Sequence, residues 1–311
     1  MSKLNFDYDC IILGGGPAGM SASIYCKRSG LDCCIIEPVI LGGRPTGYLE
    51  IENYLGLGKT STFDMIEKFR NHVESFSIPI FEGEEIQEVA LRNKIVKISD
   101  DTFKAKAIII ATGSRPKLLN VKGEKEFTGK GVHYCAICDG HFYKDKVVAV
   151  IGGGNSACEE ALGLSKICKK VYLIEFTSKL NADKVTLDLV KKKENIQVYL
   201  QTSVAEIMGS ERVEKIKIHD ELERNNMMDT NGYTIIDIDA VFPYIGMTAN
   251  SEMFDLKKDN NGFIITDEYM QTDILGVYAI GDVRTKILRQ VVTAVSDGAI
   301  AGVQVGRYLN S

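Results

Sequence analysis

The chain has 311 residues, of which 45% are hydrophobic and 25% charged, with a formal net charge of −5. That length exceeds one ordinary hydrophobic core and predicts two domains, and the composition is that of a globular protein. The negative balance argues against nucleic acid as a partner, and no apolar run approaches the roughly 20 residues of a membrane helix.

The segment Met1-Ser-Lys-Leu-Asn-Phe-Asp7 has no apolar signal region, so the chain is expected to be cytoplasmic. In a reducing compartment its eight cysteines are not expected to form a structural disulfide framework. Cys10, Cys26, Cys33, Cys34, Cys158 and Cys168 lie in strand-like or helix-like apolar segments and read as small buried hydrophobes. Cys135 and Cys138 stand apart as a Cys-x-x-Cys pair.

Tyr8 to Leu13 is a short apolar run that predicts a buried parallel strand. Gly14-Gly-Gly16-Pro17-Ala18-Gly19 follows, then a helical stretch from Met20 to Ser29 and a second strand, Cys33 to Ile36, ending at Glu37. In that context Gly14 permits a tight turn, Gly16 lets backbone approach a pyrophosphate, and Gly19 lets helix and strand pack closely. The helix start offers unpaired N–H groups to phosphate, and Glu37 is placed to accept from ribose hydroxyls.

Ala107 to Gly113, with Thr112 and Gly113 at its end, predicts another strand and a glycine turn, and Ser114-Arg-Pro116 reads as a linker. The dinucleotide pattern then repeats. Lys146 to Ile151 predicts a strand, Gly152-Gly-Gly154-Asn-Ser-Ala157 a turn, Cys158 to Lys170 a helix, and Val171 to Ile174 a strand ending at Glu175. Gly14 to Glu37 and Gly152 to Glu175 have the same spacing, which implies a second dinucleotide site at Gly152, Gly154, Ala157 and Glu175. Val277 to Asp282 predicts a strand ending at an acid, and Arg289 to Leu309 a helix. The expected fold is therefore α/β, with two Rossmann-like dinucleotide-binding domains, the second inserted into the first. Residues 1–116 and 246–311 would form one domain and residues 117–245 the other.

A Cys-x-x-Cys pair can be a zinc half-site, part of an iron–sulfur site, a chance pair or a reversible disulfide. Zinc and iron–sulfur sites need further ligands, and here there is no second pair and no histidine cluster, with His133 and His141 merely flanking the motif. No metal site is read. A reversible disulfide suits a cytosolic chain with dinucleotide folds.

The chain resembles the low-molecular-weight thioredoxin reductases over nearly its whole length. The residues that carry the likeness are Gly14-x-Gly16-x-x-Gly19, Gly42-Gly43 with Glu52-Asn53-Tyr54, Ala111-Thr-Gly113, Cys135-Ala-Ile-Cys138-Asp139-Gly140, Gly152 to Ala157, and Gly281-Asp282 with Arg289-Gln290. The resemblance implies FAD in the first domain, held by Gly14 to Gly19, Glu37, Gly43, Arg44, Asn53, Thr112, Gly113, Gly281, Asp282, Arg289 and Gln290. It also implies a homodimer, domain rotation during turnover, and a thioredoxin-like protein substrate. Cys138 would be the thiol beside the flavin and Cys135 the interchange thiol, acting through a mixed disulfide. Asp139 is placed to shuttle a proton, or else to cap a turn.

One stretch departs from that family. Where the NADPH enzymes carry His-Arg-Arg-x-x-x-Arg, this chain has Glu175-Phe-Thr-Ser-Lys-Leu-Asn181. Opposing a 2′-phosphate with a carboxylate costs on the order of a few kcal/mol in a partly desolvated site, which disfavours NADPH. NADH, with Glu175 on the ribose, and reduced ferredoxin, with no nucleotide at the second site, both remain as donors. Lys169-Lys170 and Lys191-Lys192-Lys193 could meet an acidic ferredoxin or simply form solvated faces. A ferredoxin–NAD(P) reductase-like enzyme would lack the cysteine pair, and a non-catalytic flavin redox sensor would show no turnover.

Overall fold

The computed structural model describes residues 7–47, 50–99, 101–220 and 232–310. Two compact units divide the chain, Met1–Arg115 with Met247–Ser311 in one and Pro116–Gly246 in the other.

In the discontinuous unit, β1 (Tyr8–Leu13) pairs in parallel with β2 (Cys33–Glu37) on one side and with strand Asp101–Ile110 on the other. Ile80–Glu82 extends the parallel sheet beyond β2, and Val277–Ala279 extends it beyond Asp101–Ile110. Cys10 and Ile12 enter one core, while Ile11 and Leu13 enter the other. A strand covered on both faces must be apolar throughout, which is why alternation is absent from the sequence here.

The first core lies under helices α1 (Pro17–Arg28) and α2 (Thr62–Glu74) and the carboxy-terminal helix Val291–Asn310. That last helix presents Gly298 and Gly302 to α1 and Gly306 to Ser29 at its end; a Cβ at Gly298 would stand 2.3 Å from the Ala18 carbonyl oxygen. One small residue per turn sets how closely two helices approach.

The inserted unit repeats the plan with four parallel strands in the order Ile196–Leu200, Lys170–Glu175, Val147–Ile151, Ala240–Pro243. Val148 and Val150 pack under its helices, whereas Ala149 and Ile151 face a three-stranded antiparallel sheet, Thr202–Gly209, Val213–Asp220 and Tyr233–Asp237. The architecture is α/β with two Rossmann-like domains. No helix among the described residues is long and apolar enough to cross a membrane.

Several boundaries differ from expectation, for local reasons. The helix expected over 158–170 is Asn155–Leu164, because Lys170 is already paired with Val147 in the sheet. The strand expected to run to Asp282 stops at Ala279, since Gly281 turns with φ of +69° into a 3-10 turn, Gly281–Val283. The last helix starts at Val291 rather than Arg289, whose guanidinium instead reaches the carbonyls of Arg284 and Lys286. Ser114–Pro116, expected as a linker, is a short strand, with Arg115 bound to Asn250 and Glu252.

Candidate active site

In the discontinuous unit the glycine turn joins β1 to α1. Gly14 has φ of +110°, and a Cβ there would meet the Ala111 carbonyl oxygen at 2.4 Å; one at Gly19 would meet the Gly14 carbonyl oxygen at 2.0 Å. Both positions therefore require glycine. Gly16 caps α1 without a side-chain hydrogen bond, Pro17 follows in the first turn, and Ala18 is buried, so first-turn N–H groups remain for an anion. The Glu37 carboxylate accepts from the N–H of Gly15 at 2.7 Å and of Val39 at 3.0 Å, which fixes it beside the turn. Gly43 faces Gly16, and a Cβ there would lie 3.1 Å from the Gly16 Cα.

A second group of predicted residues converges in the same unit. Arg44 pairs with Asp282 at 3.3 Å, and Asn53 donates to the Gln290 side chain at 3.1 Å. Thr112 donates to the Asn250 carbonyl at 2.6 Å, and the Gly113 carbonyl accepts from the Asn250 N–H at 3.0 Å. Burial raises the Asp282 carboxyl above its usual range, opposed by the charges of Arg44, Lys286 and Arg289. Asp282 Oδ1 and Arg289 Nε are buried with no hydrogen-bond partner among the described residues. Such unpaired polar atoms in a native interior point to a ligand that satisfies them. The donor set fits a flavin dinucleotide: a glycine turn for pyrophosphate, Glu37 for ribose, and Asp282 with the arginines for the remaining polar edge.

Lys286, Arg284 and Asp297 were not legible as site residues. Buried Asp297 accepts from the Gly281 N–H at 3.0 Å and from Lys286 Nζ at 2.9 Å, with Arg284 at 3.4 Å, so it anchors both the 3-10 turn and the segment that carries Arg289. Asp297 lies within a helix whose periodicity reads as core, and nothing local marks it.

In the inserted unit Gly152 has φ of +129°, with the Tyr244 carbonyl 2.4 Å from where its Cβ would be. The Glu175 carboxylate lies over Gly153, 2.6 Å from a Cβ built there, and accepts from the Thr177 N–H at 2.8 Å. A Cβ at Gly154 would meet nothing within 4 Å, and Ala157 is buried behind the turn. Phe176, Thr177, Ser178 and Lys179 are exposed, and Lys179 is the cation of this stretch.

Cys135 is disulfide-bonded, while Cys10, Cys26, Cys33, Cys34, Cys158 and Cys168 are free and buried. Burial pushes the Cys158 and Cys168 thiols up to about 11. The Cys138 side chain lies outside the described residues. Cys135 immediately precedes the short helix Ala136–Asp139, and the Asp139 N–H donates to its carbonyl at 3.0 Å. The buried Asp139 carboxylate meets His133 Nδ1 at 3.2 Å, and His133 Nε2 meets the Tyr143 hydroxyl at 2.8 Å. The Tyr244 hydroxyl accepts from the Ala136 N–H at 2.7 Å. From the sequence His133 reads only as a flanking residue, and Tyr143 and Tyr244 carry no signal at all.

A family model described as pyridine nucleotide-disulphide oxidoreductase matches residues 8–298. A thioredoxin reductase of Ureaplasma parvum is 38% identical over 307 residues, covering 97% of each chain. The thioredoxin reductase structure from Streptococcus pyogenes matches with a TM-score of 0.82 at 37% identity, covering 97% of this chain and 98% of that one. A ferredoxin-flavin thioredoxin reductase structure from Clostridium acetobutylicum matches with a TM-score of 0.51 at 26% identity, covering 97% and 98%. The chain belongs to the pyridine nucleotide-disulphide oxidoreductase family, within its thioredoxin reductase group, and is an FAD-dependent disulfide oxidoreductase.

Proposed function

We propose that the chain reduces the disulfide of a thioredoxin-like protein through Cys135 and Cys138, with NADH as electron donor. The observation that carries the exchange chemistry is the bonded state of Cys135, immediately before the short helix that ends at buried Asp139, when six other cysteines are free and buried. Bound to the discontinuous unit, FAD supplies a carrier that accepts an electron pair from the donor and returns it to a disulfide. The glycine turn with Glu37 and Gly43 would hold its pyrophosphate and ribose, and Arg44, Asn53, Asp282, Arg289 and Gln290 its remaining polar groups. Cys135 would attack the substrate disulfide, and Asp139 would exchange a proton with the pair.

The donor reading rests on Glu175. Its carboxylate lies against Gly153 much as Glu37 lies against Gly15, the arrangement that receives a ribose 2′-hydroxyl and repels a 2′-phosphate. Reduced ferredoxin is the second reading, favoured by the likeness to the Clostridium acetobutylicum enzyme. Exposed apolar side chains on the discontinuous unit, including Leu55, Phe63 and Ile287, support a homodimer.

Anaerobic mixing of the flavin-loaded protein with NADH, NADPH or photoreduced ferredoxin tests the donor. Rapid loss of flavin absorbance with NADH alone is expected. Bleaching by ferredoxin alone would transfer the donor role to the protein partner.

A further inference from the structure

We propose that His133 is a positioning residue for Asp139, with Tyr143, His133 and Asp139 forming one hydrogen-bonded chain that orients this carboxylate and supplies its proton. The inference rests on the proposed exchange role of Cys135 and Asp139, and it adds two residues to that site.

The geometry is closed on three sides. His133 is held by its backbone N–H on the Val241 carbonyl at 3.0 Å. Its ring stacks on Phe242 at 5.7 Å and 29°, and Phe242 meets Tyr143 edge-on at 5.8 Å. The His133 and Asp139 side chains are only 12% and 8% exposed. A carboxylate so buried is stable only with a hydrogen-bonding partner, and Nδ1 of His133 is placed to be that partner.

The proton inventory follows from Tyr143. Burial, with the charges of Asp139 and Asp239, pushes this phenol up to about 12, against a smaller opposing effect of Arg212. Its hydroxyl therefore keeps its proton near neutral pH and can donate to Nε2. A neutral imidazole that accepts at Nε2 carries its hydrogen on Nδ1, where it donates to Asp139. One tautomer satisfies both contacts at once.

When the Asp139 carboxyl gives its proton to a thiolate of the reduced pair, a thiol and a carboxylate result, and the Nδ1–H bond stabilises the carboxylate. A proton taken at Nε2 from a solvent hydronium ion then gives an imidazolium and a water molecule, with Tyr143 turning from donor to acceptor. Transfer of the Nδ1 proton to the carboxylate leaves a neutral ring with its hydrogen on Nε2, toward Tyr143, and exchange of that proton through solvent returns the hydrogen to Nδ1 for the next round. No electron moves in these steps, and one proton enters for each one delivered.

The test compares the flavin-loaded wild type with H133F, H133N and D139N. Each protein is reduced with tris(2-carboxyethyl)phosphine and freed of reductant, and alkylation of Cys135 by iodoacetamide is followed by mass spectrometry from about pH 5 to 10. The six buried thiols do not compete, because they are shielded from reagent. D139N and H133F are expected to move the alkylation midpoint in the same direction by about half a pH unit or more, and H133N, which keeps a donor toward Asp139, by less. The kcat for thioredoxin reduction should fall about tenfold in H133F, with KM little changed.

A midpoint that moves in D139N but stays in H133F would overturn the proposal, as would no movement in either. If H133F fails to fold, H133Q, whose longer side chain carries its amide to the Nε2 position facing Tyr143 and away from Asp139, replaces it with the same expectation. The thiol titration needs neither donor nor thioredoxin. Absence of thioredoxin turnover in the wild type would therefore count against the proposed function, while a shared shift would still establish the coupling.

Discussion

The Glu175 carboxylate lies so close to Gly153 that a Cβ on that glycine would be 2.6 Å from Oε2. The same relationship joins Glu37 to Gly15 in the other unit, where the contact is a hydrogen bond of 2.7 Å from the backbone N–H. Two acids at the ends of two equivalent strands are thus fixed over two glycine turns. Replacing Glu175 by Ala removes the acceptor for a ribose hydroxyl. The KM for NADH should rise roughly ten- to a hundredfold, the usual consequence of losing a charged hydrogen bond of about 1.5–3 kcal/mol. Steady-state kinetics with NADH reads this directly, and an unchanged KM would detach Glu175 from donor recognition.

Cys135 to Ser tests the exchange chemistry. Cys135 belongs to the inserted unit, whereas the residues fitted to FAD belong to the other, so flavin content should match wild type. Thioredoxin reduction should fall by roughly a thousandfold or more, because a hydroxyl cannot form the mixed disulfide. Flavin absorbance and insulin-coupled thioredoxin turnover measure the two halves. Residual activity near wild type would remove Cys135 from the reaction.

Gly298 is a packing position with a functional consequence. A Cβ there would meet the Ala18 carbonyl oxygen at 2.3 Å and the Ala22 nitrogen at 2.8 Å, both backbone atoms of the helix that begins at the glycine turn. Gly298 to Val should cost about 1–3 kcal/mol, as overpacking generally does, and weaken flavin retention by displacing that helix. Thermal melting with and without added FAD checks both effects. An unchanged melting temperature would mean the helices separate without penalty.

Much of the fold, and the turns and strand-end acids of the candidate site, were legible because their chemistry is local. Gly14 to Gly19, Glu37 and the equivalent Gly152 to Glu175 announce themselves through turns only glycine can make and acids at strand ends. Asp297 was not legible, because it acts across 16 residues of chain on the Gly281 N–H from within an otherwise core-like helix. His133 looks incidental in the sequence for a similar reason: its partner Tyr143 is ten residues away, and the intervening short helix and 3-10 turn bring the two rings together. The helix boundary at Leu164 was misplaced because sheet register, set by Lys170 against Val147, outweighs helical continuity.

Glu160 gives the pH-dependent prediction. Burial, reinforced by the neighbouring Glu159 charge, pushes its carboxyl from the usual 4.5 up to about 7, and a hydrogen bond from Tyr244 only partly opposes this. A carboxyl raised in the folded state binds its proton more tightly there than in the unfolded chain. Its contribution to stability is complete below pH 4.5 and is lost as pH rises through about 7. Glu160 to Gln cannot ionise and escapes that loss. After solvent screening of this partly exposed group, the variant should gain on the order of 1–2 kcal/mol over wild type between about pH 5 and pH 8. Urea unfolding at the two pH values measures the change in the gap, which cancels any fixed cost of the substitution itself. A gap equal at both values would mean that Glu160 ionises as freely in the folded protein as in the unfolded chain.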